Sequence, residues 1–381
     1  MTTPRPALTE RALNRATLGR QLLLRREQIG VVEAVRRVTA LQAQEPASPY
    51  IALWNRVKGF APADLDAAFA AGRIVKGTLM RLAMHAVDAA DYPILHEAMQ
   101  HTLRPARLQD PRFTVAALSV EETDALIPEL DGFLSQARSN DDVRAWLNDR
   151  LGPPDRSGAW WALRHFGPFV HAVTGGPWAF HRRAYRSAYE AASGVDRRVA
   201  MEGLVRRYLE GFGPATPADI KQFGMLYMGP IKTAVQSLLD TGELVRLEGH
   251  DGAELVDIPH GLLPPEDAPA PPRLLGMWDE ILLAYADRAR TIDPGHRKHV
   301  ARVNGDTLPS VLVDGRVAGI WRATDDGIEV TALERLPDDT WDGLAAEARS
   351  LRRFLAQREA LPYRRYRHWW DKLPRAEVRT L

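Results

Sequence analysis

Two glutamines two residues apart, Gln42 and Gln44, stand at the start of LQAQEPASPYIALWNRV (Leu41 to Val57). On a helix such residues would diverge by about 200°, whereas in extended chain they share a face. Pro46 pushes Glu45 out of helical geometry, so the stretch reads as the extended exit from a helix. Two carboxamides would then point together at one small target and hold it without titrating. The plainer reading is a pair of polar residues near a helix end. Other chemistry-bearing patterns are sparse: there is no phosphate-binding glycine loop, no HExxH pair and no GxSxG elbow. Cysteine is absent, which excludes disulfides, thiolate zinc sites, iron–sulfur clusters and a cysteine nucleophile. The eleven histidines are scattered, and only His296 and His299 have ligand-like spacing. A phosphate-facing or solvated role is preferred for that pair, so neither a metal nor a cofactor is expected.

The elements around the glutamines suggest a small repeated architecture. Leu8, Leu13, Ala16, Leu18, Leu22 and Leu23 lie mostly at helical spacing, and a second helix is expected over Val31 to Leu41. Ser48 and Pro49 read as N-cap and first helical residue of a third, and Pro62 begins a short fourth. RIVKGTLMRLAMHAV (Arg73 to Val87) suits two short strands. Helices followed by a β-ribbon make a winged helix-turn-helix. The pattern recurs with helices at about 119–131, 140–150 and 157–166, then two strands around Gly175 and Gly176 in FVHAVTGGPWAF (Phe169 to Phe180). It recurs again with helices near 197–211 and 229–240, a Thr216–Pro217–Asp219 cap between them, and strands near 243–258 split by His250–Asp251–Gly252. GLLPPEDAPAPP (Gly261 to Pro272) is an extended linker. Beyond it, SVLVDGRVAGIWR (Ser310 to Arg322) is a hairpin about Asp314–Gly315, and 341–356 an amphipathic helix. The expected fold class is mainly α with small β-ribbons. Its division is winged helices at 1–100, 101–195 and 196–262, a linker at 263–272, and a β-rich C-terminal segment at 273–381.

A chain of 381 residues with 45% hydrophobic and 26% charged content is globular and large enough for two or three units. No run approaches the roughly 18 apolar residues of a membrane span, and Met1 to Glu10 has no apolar signal region, so a cytoplasmic address is expected. Net charge is only +1, but it is unevenly placed. Arginines crowd residues 11–37, and Arg288, Arg290, Arg297, Lys298 and Arg302 crowd 288–302, while 120–142 is strongly acidic. Such a dipolar arrangement can give a near-neutral protein one basic face, against the plainer reading of solvated helix surfaces. Trp160 and Trp161 read as core, and Trp369 and Trp370 as packing of the C-terminus.

RVTALQAQEPASPYIALWNRV, GTLMRLAMHAVDAADYP (Gly77 to Pro93), WDEILLAYADRAR (Trp278 to Arg290) and VDGRVAGIWR (Val313 to Arg322) resemble the YcaQ/AlkZ superfamily of winged-helix DNA glycosylases. These blocks fall in the family's order across nearly the whole chain. Gln42–Ala43–Gln44 matches the AlkZ-like branch, associated with self-resistance to DNA-alkylating natural products. The branch with Asp in the second position, which handles interstrand crosslinks, matches less well. Leu82 and Ala83 depart from the glycine and threonine expected there. The resemblance implies three winged helices curved around a DNA channel with the glutamines at its centre. It also implies a monofunctional glycosylase that releases bulky N7-alkylated purines from double-stranded DNA in base-excision repair, as a nucleoid-associated monomer. An N7-alkylated purine is cationic and leaves as a neutral base. The protein then has only to hold a water below C1′ and present dipoles to an oxocarbenium-like sugar. Asp279, beside Trp278, is a supporting residue. Arg81 and His85 on the first wing, and His296, Arg297, Lys298 and His299, are the candidate DNA contacts. "Monofunctional" rests on no lysine being placed by sequence beside Gln42, Lys58 and Lys76 being the nearest. The alternatives are a non-catalytic winged-helix regulator or protector of modified DNA, and a hydrolase of the drug itself.

Overall fold

The structure, a computed structural model, describes residues 7–381 apart from Asp155, Asp251 and Arg375. Thr9 caps α1 (Glu10–Arg20) by accepting from the Ala12 N–H. α2 (Val31–Arg37) ends four residues before the expected Leu41, because β1 (Leu41–Gln42) leaves the helix to pair with a neighbouring strand. α3 (Ser48–Arg56) follows, with Pro49 in its first turn; Ser48 does not cap it, and its hydroxyl meets the Tyr363 hydroxyl at 3.0 Å. α4 (Pro62–Ala70) leads into β2 (Ile74–Thr78) and β3 (Met84–Asp88), and β3 is the central strand of a β1-β3-β2 sheet. α5 (Tyr92–Leu108) is a long helix that the sequence reading left out, with Pro105 one turn from its end.

After the short α6 (Pro111–Thr114), the second unit comprises α7 (Val120–Phe133), β4 (Arg138–Ser139), α8 (Asn140–Leu151), α9 (Ser157–Phe166), β5 (Phe169–His171) and β6 (Ala184–Ser187). The hairpin expected about Gly175–Gly176 does not form: β5 pairs with β6, and the intervening chain loops out. The loop sends Trp178 into the first unit, where its ring centroid lies 5.0 Å from that of Tyr50. Burying an indole outweighs the ladder bonds that a longer strand would add. The third unit follows the one-turn α10 (Tyr189–Ala192) and consists of α11 (Arg197–Phe212), α12 (Pro217–Gly224), α13 (Met228–Asp240), β7 (Val245–Glu248) and β8 (Glu254–Asp257). Here the expected cap is present as a reciprocal box: the Asp219 N–H donates to Thr216 Oγ1 at 3.2 Å, and the Thr216 N–H to Asp219 Oδ2 at 2.9 Å. The turn between β7 and β8 includes Asp251, which lies outside the described residues. Units two and three share one core with α5, through side chains such as Met99, Trp160 and Tyr208.

The C-terminal segment holds β9 (Arg273–Leu274), the short α14 (Arg297–Val300), β10 (Ser310–Val313), β11 (Arg316–Ala323), β12 (Ile328–Ala332), α15 (Asp338–Leu355) and β13 (Glu377–Thr380). Its antiparallel sheet runs β13-β12-β11-β10-β9. Asp314 and Gly315 both have positive φ, as a two-residue hairpin turn requires, and a Cβ at Gly315 would run into Leu18. The segment is not a separate body, since its sheet and α15 share a core with the first unit: Ile51 and Leu53 pack with Leu274, Trp321 and Leu351. Three arginines of α1 strap the proline-rich linker down, Arg11 to the Glu266 carbonyl, Arg15 to that of Ala268 and Arg20 to that of Leu262. The fold is thus mainly α with small β-ribbons, three tandem winged helices followed by a β-rich segment.

Candidate active site and nucleic-acid interface

The register of the first sheet places the glutamine motif. Gln42 stands opposite His85, which stands opposite Gly77, while Leu41, Ala86 and Lys76 form the adjacent row on the opposite face. The strand ends at Gln42; the Ala43 N–H still donates to the Met84 carbonyl at 2.8 Å, and Gln44 then sits in the bend towards α3. The expectation that both amides share one face is therefore corrected: the two-residue alternation stops before it reaches Gln44. Gln42 is 6% exposed and lines a pit of ≈ 10 Å³ together with Asp279 and Glu280. That space is about one water molecule. Gln44 is exposed and lines a far larger cleft of ≈ 630 Å³. A hydrogen bond couples them, the Gln44 N–H donating to Gln42 Oε1 at 2.8 Å.

Behind the motif lie two buried carboxylates. Asp279 receives both terminal nitrogens of Arg56 at 2.8 Å, and each side chain is only 1% exposed. Its charge is thus neutralised by α3. Glu280 receives Arg81 at 2.7 and 2.8 Å and faces His85 Nε2 at 3.0 Å. Burial alone would raise the Glu280 pKa, but Arg81 and His85 outweigh it and hold the carboxyl below its ordinary range. Arg81 also donates to the Phe223 carbonyl at 2.7 Å, tying the first wing to α12. His85 is fully buried, with its other ring nitrogen 3.0 Å from the Ala83 carbonyl. The structure thus places Arg81 and His85 as braces of the wing, and His85 has no surface for a phosphate. Arg81 and Leu82, between β2 and β3, both have positive φ, a strained bend for residues with a Cβ.

The basic surface beside Gln44 does not come from the arginines clustered at 11–37. Arg11 and Arg15 pair with Asp314, Arg20 with Asp257, Arg25 with Glu27, Arg26 with Glu347 and Arg37 with Glu33. The cleft beside Gln44 is lined instead by Arg107, Arg112, Arg164, Arg182, Arg183 and Arg365, drawn from five separate stretches of chain. Among the described residues, Arg107, Arg164, Arg182 and Arg183 have no carboxylate within ion-pair distance. Among the described residues Glu45 is the one acidic residue lining the cleft, and it is held by Arg365. Burial and the neighbouring guanidiniums push His165 down to about 4, and burial lowers His171 well below its ordinary range, so both are neutral near pH 7. Trp161, expected in the core, lines this cleft with Arg112 3.9 Å and Arg107 5.0 Å from its ring centroid, whereas Trp160 is core. Spacing could not reveal this cleft, because its cations converge only in the folded chain.

The 288–302 cluster forms a second basic surface. Arg297 and Lys298 are exposed on α14 and, with Arg288 and Arg302, line an open cleft of ≈ 520 Å³. His296 and His299 flank them half-buried, and burial lowers the His299 pKa, reinforced by Lys298 and Arg302. The following turn, closed by an Ala301–Thr307 bridge, leaves Val303 fully exposed at its tip. Trp370 is core, while Trp369 is half-buried with Arg302 4.5 Å from its ring centroid.

Comparison with known proteins accords with this architecture. A family model described as DNA glycosylase AlkZ-like matches residues 35–354. The interstrand DNA cross-link repair glycosylase of Streptomyces sahachiroi is 31% identical over 140 residues, a stretch covering 35% of this chain and 38% of that relative. The solved structure of the Streptomyces sahachiroi DNA glycosylase AlkZ shares the fold, with a TM-score of 0.75 over 94% of this chain and 99% of that one at 19% identity. With the family model spanning most of the sequence, the chain belongs to the DNA glycosylase AlkZ-like family.

Proposed function

We propose that this protein is a DNA glycosylase that hydrolyses the N-glycosidic bond of bulky N7-alkylated purines in duplex DNA, in self-resistance or base-excision repair. The observation that carries the reading is an arginine-lined cleft, in which Arg107, Arg164, Arg182 and Arg183 have no ion-pair partner among the described residues, opening beside an exposed carboxamide with a second carboxamide fixed behind it. The arginines hold the backbone, and the adduct's positive charge makes the purine its own leaving group. Gln44 presents its amide to the attacking water, while Gln42 holds the Gln44 backbone and lines the adjoining pit. Oriented dipoles of this kind stabilise the cationic sugar without any proton transfer by the protein. Asp279 supports the site by anchoring Arg56; Arg81 and His85 position the wing through Glu280. His296, Arg297, Lys298 and His299 form a second contact with the DNA backbone. In this reading the winged helices at 1–100, 101–195 and 196–262 wrap the duplex, and 273–381, joined by 263–272, completes the channel in a monomer. Among the described residues no helix is long and apolar enough to cross a membrane; the activity proposed implies a cytoplasmic, nucleoid-associated protein.

The test is a panel of duplexes carrying N7 adducts of increasing bulk, scored for base release and then for strand breaks after hot alkali. Breaks above background on the bulky adducts are expected. Tight binding to one undamaged sequence with no breaks on any adduct would overturn the reading in favour of a regulator. Salt dependence gives a second check. Replacing Arg183 by Gln is expected to reduce the slope of log affinity against log salt by about one unit. An unchanged slope would remove Arg183 from the phosphate contacts.

A further inference from the structure

Lys76 sits in the middle of β2 and lines the same cleft as Gln44 and Glu45, although its residue is only 4% exposed. Its ammonium has no carboxylate within ion-pair distance among the described residues. It lies instead 4.6 Å from the ring centroid of Phe180. A lysine that serves only as scaffold is normally exposed, or paired when buried. This one lines the cleft with no ion-pair partner among the described residues, Glu45 acting on it only from beyond ion-pair distance. We propose that Lys76 is a Schiff-base nucleophile that acts on the abasic sugar left after base release, giving the protein a DNA lyase activity. The proposal rests on the glycosylase reading only in taking DNA to occupy this cleft.

The chemistry balances within the site. In its ring-opened form the abasic sugar carries an aldehyde at C1′. The Nζ lone pair attacks that carbon, a C=N bond forms, and the aldehyde oxygen leaves as water. The protonated imine acidifies the C2′–H bond. Its proton passes to Glu45, whose carboxylate is made more basic chiefly by burial, against the opposing effects of Arg365 and Tyr366. The C3′–O bond then breaks, the electron pair leaving with the 3′ phosphate, and the strand is cut. Burial lowers the Lys76 pKa to about 8, with Glu45 opposing that shift, so a useful fraction of the amine is neutral near physiological pH. The groups facing it are Glu45 from the turn after β1 and His171 from β5, the latter held neutral by its own burial.

The experiment uses the full chain and a duplex carrying a preformed abasic site, so that it does not depend on base release. Borohydride is expected to trap a covalent protein–DNA adduct, and peptide mapping to place it on Lys76. The yield should rise between about pH 6.5 and about 9 as the amine loses its proton. Lys76→Met, shown to be folded by its thermal melt, should give no adduct above background. An adduct mapped to Lys298 or another lysine, an equal yield from folded Lys76→Met, or no adduct at all would each overturn the proposal. Base release measured separately tells failure here from failure of the glycosylase reading.

Discussion

Base release from a duplex carrying N7-methylguanine is expected to fall roughly 10²- to 10³-fold when Gln42 and Gln44 are both replaced by alanine, the scale for loss of preorganised dipoles at a developing charge. The two single variants should differ in kind. Gln44 is exposed, and among the described residues its side chain makes no hydrogen bond, so Gln44→Ala should lose rate while melting at the wild-type temperature. Gln42→Ala removes the acceptor of the Gln44 N–H and should also cost about 1 kcal/mol of stability. Excision at the wild-type rate by the folded double variant would end the carboxamide mechanism.

Asp279→Ala is expected to destabilise the protein by about 3–5 kcal/mol, because it leaves the Arg56 guanidinium buried without its bidentate partner. Urea denaturation should show the loss as a lower midpoint at unchanged slope. Arg56→Met combined with Asp279→Leu should recover most of it, since an apolar pair of similar volume avoids the desolvation of two charges. A single-variant loss below about 1 kcal/mol would contradict the assignment of Asp279 as an anchor.

Fold and site were legible in the sequence to different depths. The Thr216–Asp219 cap and the Asp314–Gly315 turn were readable because each is a local device whose partners lie within a few residues. α5 was missed because its Pro105 and polar residues hide the apolar stripe of Leu95, Met99 and Leu103, which is meaningful only against α9 and α11. Gln42 and Gln44 were legible as a spacing, but their orientation was not, since it depends on where the β1 ladder ends. The 288–302 surface was legible as a cluster, but the 11–37 cluster is not a free basic face, because charge counted along the chain ignores pairing in space. Arg20 meets Asp257 and Arg26 meets Glu347, hundreds of residues away, whereas Arg164 and Arg183, from separate stretches of chain, line one cleft with no ion-pair partner among the described residues. Lys76, which the sequence does not place beside Gln42, is brought into the cleft by the β2–β3 hairpin.

The strapped linker and shared core have a genetic consequence. A nonsense mutation just after codon 262 would spare every winged helix, yet it would strip the first of the strands and helix against which its hydrophobic side chains close. Such an allele should behave as a complete null, its product cleared by proteolysis, rather than as a shortened protein with partial repair.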